Sequence, residues 1–111
     1  DANIREDYYP LRVVENISKA IVLDNPTGKY NITENILGDA RSLSFRYYLM
    51  RDAKIKPQPV EIYDRIETLY VVTPSLDKTY KESRWEFNSS GPKKIAWEKD
   101  FEGLKLYKFV K

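Results

Sequence analysis

Three carboxylates, Glu61, Asp64 and Glu67, fall within one short stretch of the chain. Two carboxylates a few ångströms apart can hydrolyse a glycosidic bond, one as acid and the other as base or nucleophile. That chemistry needs a closed cleft and a raised pKa on one of the pair. A chain of 111 residues leaves little material for such a cleft, and Lys56 and Arg65 stand nearby as ion-pair partners. The expected setting is a solvated loop. A second motif, Pro26-Thr27-Gly28-Lys29-Tyr30, ends like a phosphate-binding loop. It lacks the first glycine of that motif and opens a strand instead of a helix, so a plain turn is expected.

Aromatic residues are 14% of the chain, including 9 Tyr and 2 Trp. Aromatic faces stack on sugars and settle at membrane interfaces. The candidates for a ligand or partner surface are Tyr8, Tyr9, Tyr47, Tyr48, Trp85 and Trp97. Adjacent residues on a helix cannot share one buried centre. One member of Tyr8-Tyr9 and one of Tyr47-Tyr48 is therefore expected near the surface. The competing expectation is that these rings edge the core with their hydroxyls turned to water. Three glycosylation sequons begin at Asn16, Asn31 and Asn88; the first two fall inside expected regular elements, leaving Asn88 as the plausible acceptor.

The chain has no Cys and no His. Disulfides, thiolate nucleophiles, zinc-finger sites and Ser-His-Asp triads are thereby excluded. No catalytic residue, metal or cofactor is implied. The net charge is +2, split as +1 in each half with both signs interleaved. A nucleic-acid binder concentrates basic residues on one face, so no nucleic-acid partner is expected. No stretch reaches the roughly 18–20 apolar residues that cross a bilayer. The first residue is Asp1 instead of Met, which fits a fragment of a larger protein.

The elements that must position these residues are legible in outline. After a frayed segment 1–8, Pro10 sits at a first helical turn. Leu11, Val14, Ile17 and Ile21, with Ala20 beside them, repeat at helical spacing, and Asp24 to Gly28 end the helix. Lys29 to Thr33 reads as a strand. A second helix is expected from Ala40 to Ala53, with a stripe of Leu43, Tyr47, Met50 and Ala53 widened by Phe45, Tyr48 and Leu49. Pro57 and Pro59 force an extended link. Val60 to Tyr63 reads as a short edge strand, and Asp77 to Arg84 as a short helix or turns. Thr68 to Thr73 reads as a central strand covered on both faces. Lys94–Trp97 and Leu104–Val110 form a terminal hairpin, with Leu104, Leu106 and Val110 on one face and Tyr107 and Phe109 on the other. The expected architecture is one small α/β domain over residues 1–111. It has a mixed sheet of four or five strands, two main helices and a C-terminal β-hairpin. Strand–helix–strand units are normally parallel, and the hairpin adds antiparallel strands.

This layout resembles the C-terminal extracytoplasmic domain of bacterial multi-span glycosyltransferases of the protein-mannosyltransferase group, which use lipid-linked sugars. The likeness rests on Asp24-Asn25-Pro26-Thr27-Gly28-Lys29-Tyr30-Asn31, a turn into a strand, and on the aromatic helix Phe45-Arg46-Tyr47-Tyr48-Leu49. It continues through Leu69-Tyr70-Val71-Val72, Trp85-Glu86-Phe87 and the closing strand Gly103 to Phe109. The resemblance implies a non-catalytic accessory domain on the extracytoplasmic face of the cell membrane, whose partner is the membrane-embedded part of the same parent. Carbohydrate or lipid-linked sugar is a further implied partner. In that family the catalytic acids lie between membrane spans, so none is carried over. Two rival expectations stand beside it: a free-standing carbohydrate- or peptide-binding module using the exposed aromatics, and a small hydrolase using Glu61, Asp64 and Glu67.

Overall fold

The first helix, α1 (Leu11–Asp24), buries Val13, Ile17, Ser18 and Ile21 along one side. This computed structural model describes residues 11–34, 43–59, 65–74 and 91–111. Leu11 was expected in the buried stripe but is 62% exposed, and Val13 takes its place. Helical spacing gives the angle of a stripe; which residue of the first turn reaches the sheet is decided by packing. The helix stops at Asn25, whose φ of 50° is the left-handed conformation that Asn tolerates well. Its N–H donates to the carbonyls of Ile21 and Val22 at 3.2 and 3.0 Å. Pro26 follows and cannot continue the helix.

Strand β1 (Tyr30–Glu34) runs next, and all five of its residues are buried. Helix α2 (Leu43–Asp52) leads back to β2 (Thr68–Thr73), which pairs with β1 in parallel. The chain ends in β3 (Lys94–Phe101) and β4 (Leu104–Val110), an antiparallel hairpin. The sheet order is β1-β2-β4-β3, so β2 is central, with a parallel neighbour on one side and an antiparallel one on the other. The molecule is thus a mixed α/β fold with two helices, a four-stranded sheet among the described residues and a C-terminal hairpin. The expected edge strand at 60–63 and the short helix at 77–84 lie outside the described residues.

The core divides across the sheet. On the helix side Val13, Ile17, Ile21, Phe45 and Leu49 pack on Tyr30, Ile32, Tyr70, Val72, Leu104 and Leu106. Ile66, Leu69, Val71, Tyr107 and Phe109 form a second buried cluster. Alternation along β2 and β4 puts the two sets on opposite faces. The central strand is therefore buried on both faces, as its continuous apolar run implies. Helix α2 corrects the expected stripe: Phe45, Leu49 and Ala53 are buried, whereas Tyr47 and Met50 are 61% and 54% exposed. Arg46 explains the rotation. Its guanidinium donates to Asn31 Oδ1 at 2.6 Å, to the Ile32 carbonyl at 3.1 Å and to the Gln58 carbonyl at 2.9 Å. A charged group that must sit against buried β1 needs these acceptors, and satisfying them fixes the face α2 presents. Asn31 in turn donates to the Pro59 carbonyl at 3.0 Å, and the Gln58 N–H donates to the Tyr30 carbonyl at 2.9 Å. The proline link therefore lines the outer edge of β1. Asn31 is fully buried and committed to these bonds, which closes its sequon to glycosylation.

Candidate functional site

The hairpin contains an irregularity that aims one aromatic residue. In β3, Ile95 faces Phe109 across the ladder but Trp97 faces Lys108, so the pairing shifts between them. Such a β-bulge inserts an extra residue and re-aims the next side chain. Without it, Ile95 and Trp97 would share a face. With it, Trp97 turns to the helix side while Ile95 stays on the other. Trp97 then ends a row of register partners that crosses three strands: Tyr70 on β2, Lys108 on β4 and Trp97 on β3.

Asp24, the last residue of α1, sits over this row. The Lys108 ammonium lies 2.7 Å from Asp24 Oδ2, and the Tyr70 hydroxyl donates to the same oxygen at 2.6 Å. Both side chains of the ion pair are 20% exposed. A carboxylate at a helix C-terminus meets the unfavourable end of the helix dipole, and Lys108 offsets it. Partial burial pushes the Asp24 pKa up, but the hydrogen bonds from Lys108 and Tyr70, the Lys108 charge and Trp97 together hold it below the usual carboxylate value. Burial, followed by the hydrogen bond to Asp24 and its charge, pushes the Tyr70 phenol far up. Asp24 is held charged and Tyr70 neutral near pH 7. Behind them, Tyr30 meets Tyr70 edge-on at 5.8 Å and donates to the Ile55 carbonyl at 2.6 Å.

A surface recess of about 250 Å³ opens in front of this network, lined by Ala20, Leu23, Asp24, Trp97 and Lys99. Trp97 is half-buried, with its ring centroid 6.4 Å from that of Tyr70. The recess therefore offers an indole wall, an ionised carboxylate and an ammonium in one lining. That set can stack on an apolar ring face and hydrogen-bond hydroxyls around its edge.

The other candidate aromatics are placed elsewhere. Tyr47 is exposed and Tyr48 half-buried on α2, edge-to-face at 5.2 Å. Tyr48, but not Tyr47, lines a second recess of about 170 Å³ between the helices. Helix α1 stands between this pair and Trp97, so the tyrosines and Trp97 do not form one surface. Tyr8, Tyr9 and Trp85 lie outside the described residues, as do Glu61, Asp64 and Asn88. Glu67 is exposed, and its side chain occupies the space beside Gly28, in a bend between α1 and β1. Among the described residues no cluster of acidic side chains could hold a metal ion, and no helix is long and apolar enough to cross a membrane.

Sequence reasoning missed Asp24, Tyr70, Lys108 and Lys99. One signal was present. Leu104, Leu106, Lys108 and Val110 share a face by alternation, and a lysine in an apolar row calls for a buried acid. Compared with known family models, curated proteins and solved structures, the chain matches none.

Proposed function

We propose that this chain is a non-catalytic recognition domain that holds a sugar against Trp97. The observation that carries the reading is the bulge that turns Trp97 to the same side as Asp24. Its ion pair and hydrogen bond keep Asp24 charged at neutral pH, suited to accepting hydrogen bonds from hydroxyls and unsuited to proton transfer there. The resemblance of the sequence supplies the setting. The domain belongs to a membrane-bound glycosyltransferase-like parent, on the extracytoplasmic face. There it positions acceptor or packs against the membrane-embedded part. A free-standing carbohydrate-binding module is the second reading; the recess favours it because Ala20, Leu23, Asp24, Trp97 and Lys99 of this chain line it.

The test uses the Trp85→Phe chain, which leaves Trp97 as the single indole. Its fluorescence is titrated with neutral mono- and disaccharides into the millimolar range. A saturable change, weakened in Lys99→Ala, is expected. A flat response to every sugar removes the recognition reading. Binding by the isolated chain, with no dependence on the presence of the upstream membrane part, favours the free-standing module over the accessory role.

A further inference from the structure

We propose that the sugar held against Trp97 is an acidic one, a hexuronate whose ring stacks on the indole and whose carboxylate meets Lys99. This rests on the recognition reading above and names the ligand class of that site. Trp97, Lys99 and Phe101 alternate onto one face of β3. Trp97 and Phe101 pack against the helix-side core, and Lys99 stands opposite Leu106 of that core. Lys99 is therefore on the same side as Trp97, about 7 Å further along the strand. One hexose ring and its exocyclic carboxylate bridge such a step. The Phe101 ring, with its centroid 6.0 Å from the Lys99 ammonium, steadies that charge. Lys99 lines the recess beside Ala20, Leu23 and Asp24.

The balance of charge selects a single anion. The lining carries one acid and one base, Asp24 and Lys99, but their situations differ. Asp24 is already offset by Lys108 at 2.7 Å and accepts from the Tyr70 hydroxyl through the same oxygen. Among the described residues no acid pairs with Lys99. Its neighbours Glu98 and Asp100 alternate to the opposite face, where Glu98 stands across from Tyr107 of the second cluster. Glu102, in the turn after β3, is held by two hydrogen bonds from Arg12. One cation of the lining is thus left without a counter-charge. A carboxylate supplies the matching single charge and accepts a charge-assisted hydrogen bond. A phosphate monoester carries nearly two charges at neutral pH, and the second cation it calls for, Lys108, is taken by Asp24. A neutral sugar leaves the Lys99 charge unused.

The Trp85→Phe chain, followed through Trp97 fluorescence, is titrated with glucuronate, its methyl ester, glucose and glucose 6-phosphate. Glucuronate is expected to bind about fivefold more tightly than glucose or the ester at low salt. The advantage should shrink as salt screens the pair. Lys99→Gln should abolish the advantage, and Lys99→Arg should keep it. Circular dichroism checks that each variant is folded; should the Gln variant unfold, the salt series and the ester decide. Equal binding of glucuronate and its methyl ester overturns the inference and leaves the sugar reading standing, as does an advantage that survives Lys99→Gln. Tighter binding of glucose 6-phosphate than of glucuronate overturns it in favour of a dianion. Displacement of glucuronate by an equal concentration of acetate also overturns it, because the recess then holds an anion and no sugar ring. A flat response to all four sugars overturns the inference and the recognition reading together.

Discussion

Asp24 joins the end of a helix to two strands through one oxygen, and its removal should be felt in proportion to what it accepts. Asp24→Ala leaves the Lys108 ammonium and the Tyr70 hydroxyl without their acceptor. Loss of a hydrogen bond to a charged group costs about 1.5–3 kcal/mol, and Asp24→Ala should fall in that range. Asp24→Asn keeps a carbonyl oxygen for Tyr70 and should cost less. Tyr70→Phe keeps the ring against Tyr30 and Trp97 and should cost about 1.5 kcal/mol. Urea denaturation of the three variants gives the order; an Asn variant as damaging as the Ala variant would assign the whole effect to the charge and none to the retained carbonyl acceptor. The same residues mark the limit of reading a sequence. The terminal hairpin and its two faces were legible because apolar alternation was strong in Leu104–Val110. Asp24 was legible only as part of a helix stop. Its partners lie 46 residues away at Tyr70 and 84 at Lys108, separations that no local pattern encodes.

Among the elements, the β3–β4 turn carries a clear conformational demand. Glu102 and Gly103 have φ of 56° and 94°, and the flanking Phe101 and Leu104 are paired. A two-residue turn with both φ positive matches the right-handed twist of a hairpin, and favours Asn-Gly in that place. Nothing stands within 4 Å of where a Cβ on Gly103 would be, so Gly103→Ala tests backbone conformation without a clash. It should destabilise by about 1 kcal/mol. Glu102 tolerates its φ while its carboxylate receives two hydrogen bonds from Arg12, at 2.7 and 3.2 Å. That pair is exposed and weakened by salt. Glu102→Asn, which removes strain and gives up the pair, should therefore raise the thermal midpoint more at high salt than at low salt. A melting series at two ionic strengths checks both. The turn at Asp100 to Gly103 was legible from the sequence; the bulge before it was not. Lys94-Ile95-Ala96-Trp97 carries no Gly or Pro to announce a bulge, and pairing with β4 reveals it. For the same reason the buried face of α2 was misread: Tyr47 and Met50 fit an apolar stripe, and Arg46 overrode it through contacts with β1 and the proline link.

For the whole molecule, two fully buried tyrosines set the alkaline limit of stability. Burial is the chief cause of both shifts. It raises the Tyr30 phenol to about 12 against the lowering influence of Arg46, and it raises Tyr70 further still with the help of Asp24. In the unfolded chain both phenols ionise near pH 10. Below that value their contribution to stability is fully present. As pH rises past it the unfolded state loses protons that the folded state keeps, and stability falls. Each tyrosine then contributes a slope of about 1.36 kcal/mol per pH unit until the pH reaches its folded pKa. The Tyr30 contribution therefore levels off near pH 12, whereas that of Tyr70 continues. Denaturation curves between pH 9 and 12 should show this fall, and Tyr70→Phe should remove about half of its slope between the two lower pKa limits. Asp24 acts on the opposite limb. Its folded pKa is depressed, so its contribution is present above the unfolded value and is lost as pH falls through the folded one. Asp24→Asn should flatten the acid limb and, by removing the charge that helps to raise Tyr70, end the Tyr70 slope at a lower pH. An Asp24→Asn variant whose acid limb matched that of the parent chain would show that the Asp24 network acts by packing and not by charge.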